Sequence, residues 1–163
     1  MKTFYLLFIL PVFAFCQSTF VLPNDVQAKG YTLAIGEYIQ TMRTKEKTNF
    51  DTLFIGKHEE FPNITLPTVI ENTKIIVLPN AEVEKKYANR RSLIFINMVD
   101  DFTKDVCFFK LIVFKTEKIP EKINWWPLHN YNVDFNYNLD IKVFTKKKSD
   151  FEYPYSNKYA DKK

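Results

Sequence analysis

Two histidines, two cysteines and three glycines are the whole stock on which most catalytic motifs would have to be built. Cys107 is the one thiol beyond residue 16, and a cysteine nucleophile needs a base, for which only His58 and His129 are available. The run Val106-Cys107-Phe108-Phe109 puts the thiol on a strand face shared with Phe109, Leu111 and Val113. Burial there raises a thiol pKa and closes access, so Cys107 reads as core filler. His58-Glu59-Glu60, with Asp51 upstream, gathers an imidazole and carboxylates, the ingredients of a metal site or an acid–base pair. It lacks the His-Glu-x-x-His spacing that sets two ligands on one helix face, and just before Pro62 it reads as a solvated loop. Ser92 has no glycine elbow around it. Gly30, Gly36 and Gly56 are too scattered for a phosphate loop or a dinucleotide fingerprint. The cysteines and histidines fall short of a four-ligand zinc framework. Neither a metal site nor a cofactor is predicted.

Trp125-Trp126-Pro127-Leu128-His129 is the segment with most to offer a partner. Tryptophan is enriched where partners and flat ligands dock, and it also serves to cap the open end of a core. Trp125, Trp126 and His129 are therefore the candidate ligand- or partner-binding residues, with core capping as the competing role.

The elements that must position these residues follow from periodicity. Ala28, Tyr31, Ala34, Ile35, Tyr38, Ile39 and Met42 fall on one side of a 3.6-residue wheel, which predicts an amphipathic helix capped by Asn24. Leu33 is misplaced on its polar side. Gly30 and Gly36 inside the helix imply close approach to something flat, a sheet. Short strands are predicted at 52–55 and 74–78, with a brief strand near Val69 in a long connection, and a short polar helix over 81–89. Strands at 93–99 and 106–114 form a hairpin across a polar turn, and residues 116–130 read as a loop containing Pro120 and Pro127. From Tyr131 to Val143 apolar residues alternate with Asn132, Asp134, Asn136, Asn138, Asp140 and Lys142, which predicts one long strand with one face in water. The fold class is α+β: one long helix packed on a curved, mostly antiparallel sheet. In element order this resembles the cystatin-like and NTF2-like architectures, and that resemblance implies a cone whose open end often binds small molecules.

Residues 1–16 read as a secretory signal peptide. Lys2 precedes the apolar run Phe4 to Phe15, and Ala14-Phe15-Cys16 supplies the cleavage site before Gln17. The run is too short to span a bilayer, which takes roughly 20 residues. A lipidated Cys16 is the competing form, and the bulky Phe15 before it speaks for simple cleavage. The leader is similar to those of exported Gram-negative bacterial proteins that end in Phe-Cys-Gln, which implies the periplasm or the cell exterior. Residues 17–146 form a single domain in this reading, and 147–163 a basic, tyrosine-rich, flexible tail.

From Lys142 to Lys163 there are seven lysines and three acids, so the positive charge belongs to the tail and the body is close to neutral. A nucleic-acid-binding domain needs a basic face, and none is predicted. Lys146-Lys147-Lys148 offers at most weak contact with an anionic surface. The reading is an exported small domain without catalytic machinery that binds a protein partner or a ligand. The alternative is a small cone-pocket isomerase or hydrolase using His58 or His129 with an aspartate. The exported chain should begin at Gln17 and carry no lipid. Its intact mass checks this, and a retained leader or a lipid on Cys16 would count against the cleavage site.

Overall fold

The computed structural model describes residues 22–59, 61–79, 82, 92–103, 105–119 and 122–153. The leader, the helix expected over 81–89 except Glu82, and the last ten residues of the tail lie outside them. Within this range the chain makes one helix, α1 (Asn24–Thr44). Seven strands follow: β1 (Thr52–Lys57), β2 (Val69–Ile70), β3 (Thr73–Pro79), β4 (Ser92–Phe102), β5 (Val106–Ile119), β6 (Lys122–Asn138) and β7 (Val143–Glu152). They form a single curled sheet in the order β2-β3-β1-β4-β5-β6-β7, so the fold is α+β. The sheet is mixed, because β1 runs parallel to both β3 and β4 while the other four pairings are antiparallel.

The helix forms where its periodicity puts it, and Leu33, the misfit, stands exposed. The cap differs. Asn24 is the first helical residue, Pro23 holds the cap position with an extended backbone, and no side chain caps the end. The Pro23 carbonyl accepts the first helical bond from the Gln27 N–H at 2.9 Å. With its φ fixed by the ring, the proline starts the helix one residue before an asparagine cap would.

Tyr31, Ala34, Ile35, Tyr38 and Ile39 fill the concave face of the sheet against Ile96, Met98, Cys107, Phe109, Leu111, Tyr131 and Val133. The helix comes closest at Gly30. A Cβ there would stand 2.5 Å from Phe109 Cζ and 3.2 Å from Phe144 Cζ. The Phe109 ring has no room to give, since it meets Tyr31, Phe102 and Phe135 edge-on with centroids 5.3, 5.6 and 6.0 Å away. Gly36 is different: an added Cβ would meet Ile70 Cγ2 at 3.6 Å, an ordinary contact.

Three sequence expectations need correction. Residues 116–130 are not a loop: β5 runs to Ile119, β6 starts at Lys122, and the tryptophan segment lies within β6. The strand expected from Tyr131 to Val143 is broken. Asn138 Oδ1 accepts the backbone N–H groups of Asp140 and Ile141 at 3.0 and 3.1 Å, and Lys142 turns the chain with φ 53°. An asparagine that satisfies the next backbone donors makes a turn that alternation alone does not reveal. Tyr131, Val133, Phe135 and Tyr137 are buried, whereas Leu139, Ile141 and Val143 face solvent. Finally, the chain does not leave the sheet at Lys146: β7 continues to Glu152, with Tyr131 opposite Phe151 and Phe135 opposite Lys146. Only Phe144 and Phe151 of β7 pack on the core, too sparse a pattern to read as a strand.

The two edges of the sheet are blunted. β2 has only two residues, and β7 carries Lys146, Lys147 and Lys148 with a register shift between Asp134 and Phe135 that leaves Lys147 unopposed. Lysines and bulges on an edge oppose pairing with another chain. The two glycines give a paired test of the helix packing. Gly36→Ala should raise the melting temperature, since Ala is favoured by about 1 kcal/mol in a helix interior. Gly30→Ala should lower it, because overpacking costs about 1–3 kcal/mol. Thermal unfolding of both variants decides, and equal shifts would refute the close approach.

Candidate functional site

Two groups of chemistry-bearing residues meet on the concave face, one toward each end of α1. The first joins Tyr31 of α1, His58 after β1, Asp100 of β4 and Cys107 of β5. Asp100 sits opposite Phe109 in the β4–β5 ladder, on the face of Met98 and Phe102. Burial pushes its carboxyl above the usual range. The Tyr31 hydroxyl is fully buried near that carboxylate, short of hydrogen-bond geometry, and burial together with the Asp100 charge pushes its pKa up. Cys107 is buried, and burial first and the Asp100 charge second push its thiol up to about 11. Both effects disfavour the thiolate, so Cys107 is a poor nucleophile here.

His58 is not in the solvated setting expected for it. Its Nε2 lies 2.8 Å from the Met98 carbonyl, and its ring stands edge-on to Phe61. A carbonyl only accepts, so Nε2 carries the proton and donates it. Glu59 is exposed, and Glu60 lies outside the described residues. Among the described residues no three His, Cys, Asp or Glu side chains converge to hold a metal ion.

The second group centres on His129, which faces the core from β6 and is 8% exposed. Its Nε2 lies 3.2 Å from the Tyr38 hydroxyl, and its ring packs among Phe151 and Tyr153, with centroids 5.1 and 5.9 Å away. Thr41 Oγ1 and the Tyr131 hydroxyl share a hydrogen bond of 3.0 Å just beside it. Burial holds the His129 imidazole below its ordinary pKa, opposed only in part by Glu46.

A bulge brings the tryptophan segment to this group. Val113 pairs with His129, but Phe114 pairs with Pro127, so Leu128 is the extra residue. Proline has no N–H for the ladder, and a bulge is where a strand tolerates it. Past the bulge Trp126 pairs with Lys115, which continues the alternation of Cys107, Phe109, Leu111 and Val113. Trp126 and His129, three residues apart, thus share one face. Trp126 is 51% exposed and Leu128 38%. The sequence signal was Pro127 inside an apolar run, read as a loop rather than as a bulge. Trp125 lies in β6 opposite Thr116, and its side chain lies outside the described residues.

The chain matches no family model, no curated protein and no solved structure.

A buried neutral imidazole ties stability to pH. Its folded pKa is depressed below the unfolded value of about 6.5, so its contribution is present above that pH and lost as pH falls through the folded value. His129→Gln should flatten the loss of melting temperature between pH 7.5 and pH 5.5 relative to the unaltered chain. Parallel pH dependences in the two proteins would show that His129 is not the group titrating.

Proposed function

We propose that this chain is an exported binding domain of cystatin-like or NTF2-like form, acting in the periplasm or outside the cell. In this reading it takes a protein partner or a flat ligand at the end of the sheet where Trp126 shares the face of His129 and the Tyr153 ring adjoins that histidine. The carrying observation is the bulge at Leu128, which puts Trp126 on the His129 face yet leaves it half exposed. A tryptophan sealing the core would be buried, whereas a half-exposed one on the face of His129, whose ring meets the 47% exposed Tyr153, offers a ligand an aromatic surface at low ordering cost. His129 and Tyr38, already hydrogen-bonded to each other, give that surface a polar floor.

The packing of α1 also favours binding over catalysis. Tyr31, Ile35, Tyr38 and Ile39, each at most 1% exposed, occupy the concavity where a cone-shaped substrate pocket would lie. An isomerase or hydrolase built on His58 with Asp100 would have to admit its substrate between Tyr31, Phe61 and Phe109, whose rings already meet edge-on.

The pair Trp126→Ala and Tyr153→Ala tests the reading. Exposed substitutions usually cost less than about 0.5 kcal/mol, so the melting temperature should move by less than about 4 °C. A component of an envelope extract that is retained by the immobilised full chain should be lost with the double variant. A large fall in melting temperature would return the tryptophan to a capping role. Unchanged retention would remove this surface as the binding site.

A further inference from the structure

The far end of β7 is joined to α1 through a short chain of rings, and one of those rings can change charge. Tyr38 of α1 meets Tyr131 and His129 of β6 with centroids 5.5 and 5.8 Å away. Both of these meet Phe151 of β7, at 5.0 and 5.1 Å. Among the described residues the Tyr153 ring meets those of His129 and Phe151, at 5.9 and 6.0 Å. His129 and Tyr131 therefore link the helix to the last rings of β7, and of the two only the imidazole takes up charge between pH 5 and 8. β7 is an edge strand with β6 as its one neighbour, so its end can part from the core without parting two ladders.

An imidazolium is poorly provided for in this cluster. The Tyr38 hydroxyl, 3.2 Å from Nε2, is the hydrogen-bond partner of the ring among the described residues, and it can serve only one of two N–H groups. Tyr38 and Tyr153 adjoin the ring from α1 and β7, and Tyr131 lies two residues along the same face of β6. On β5, Val113 lies opposite, and the next residue on that face is the exposed cation Lys115. Past α1 the exposed Glu46, flanked by the exposed Lys45 and Lys47, acts on the ring, yet among the described residues no carboxylate is within ion-pair distance of His129. On the other face of β7, Lys110 and Asn130 donate to Glu152 at 3.0 and 3.1 Å. The Lys110 hydrogen bond, first, holds that carboxyl below its usual range, so this tie persists where an imidazole titrates.

We propose that His129 is an acid-operated latch: on taking up a second proton its ring turns out to water and releases Phe151 and Tyr153, so that the end of β7 parts from α1 while the rest of the sheet stays folded. The latch needs no ligand. Its consequence for capture, an aromatic surface assembled at neutral pH and dispersed in acid, rests on the binding reading above. The sign follows from linkage. In the open state His129 regains an ordinary pKa of about 6.5, whereas in the closed state burial holds it lower. Each pH unit below about 6.5 raises the open-to-closed ratio about tenfold until the closed ring is itself protonated.

The test follows amide hydrogen exchange and the His129 Cε1 proton by nuclear magnetic resonance in the full chain. Between pH 7.5 and pH 5.5 the protection factors of the protected amides in residues 150–153 should fall about three- to tenfold, while those of residues 107–113 in β5 hold. His129→Gln keeps a hydrogen-bonding group without the charge and should abolish the fall. Glu46→Gln removes a charge that favours the imidazolium, so it should lower the His129 midpoint and deepen the fall. Glu46 is exposed, so this variant reads the latch even if His129→Gln folds poorly. Titration of His129 with steady protection at 150–153 would overturn the proposal, as would an equal fall in His129→Gln or a shallower one in Glu46→Gln. Loss of protection in β5 together with β7 would also overturn it, as global unfolding rather than a latch. None of these readouts uses a ligand, so failure of the latch and failure of the binding reading are seen separately.

Discussion

The absent Cβ of Gly30 lets α1 lie against the rings of Phe109 and Phe144, and much of the molecule follows from that contact. Phe109 touches Tyr31, Phe102 and Phe135, so one ring ties the helix to three adjacent strands, β4, β5 and β6. Each such aromatic pair contributes about 0.5–1.5 kcal/mol beyond its buried area. Cys107 is the one free thiol among the described residues, and no disulfide relieves the core of its task. A helix seated this deeply fills the curl of the sheet, and a filled curl leaves little space for a substrate. The chemistry-bearing side chains on the concave face, Tyr31, Asp100 and Cys107, are consequently held in surroundings that disfavour their charged forms.

Packing also decides what becomes of the ends of the strands. β5 and β6 are longer than the helix can cover, so their outer segments emerge on either side of it. At one end Pro127 cannot join the ladder, and the bulge that accommodates it re-aims Trp126. At the other end Asn138 closes a turn on its own side chain, and the aliphatic residues of an alternating pattern come out into solvent. Neither exposure is a failure of burial. Both are placed by local backbone chemistry that the hydrophobic pattern does not encode.

Much of the fold was readable from periodicity. The wheel of α1 and the hairpin of β4 and β5 follow from apolar spacing, and the glycine at position 30 announced a close approach. Other features depend on long-range pairing. Alternation from Tyr131 onward predicted burial, and it holds as far as Tyr137, after which a side-chain hydrogen bond overrides it. β7 has only two core-facing aromatics and a row of lysines, so its identity comes from β6 rather than from its own residues. The parallel neighbours of β1 arise because β3 and β4 flank it on both sides, an arrangement set by the whole sheet. For the candidate site, the segment that reaches His129 was visible by composition, but its geometry was not. His58 looked solvated because its neighbours in sequence are charged, while its partner, the Met98 carbonyl, lies forty residues away.

A core that is aromatic and closely packed has a consequence for where recognition can sit. Opening the concave face to a ligand would separate rings that stabilise three strands at once, and would leave the Asp100 and His58 polar groups to be satisfied anew. Losses of that kind run to several kcal/mol, a large share of the 5–15 kcal/mol that holds a domain of this size together. The exposed residues at the two ends carry no such burden. Trp126 and Tyr153 at one end, and Asp105, Asp140 and Ile141 at the other, can change with little effect on the packing between α1 and β5. They are also far enough apart that changes at one end should not register at the other. A sheet filled by its own helix thus keeps its aromatic contacts in the middle and exposed apolar side chains at the two ends.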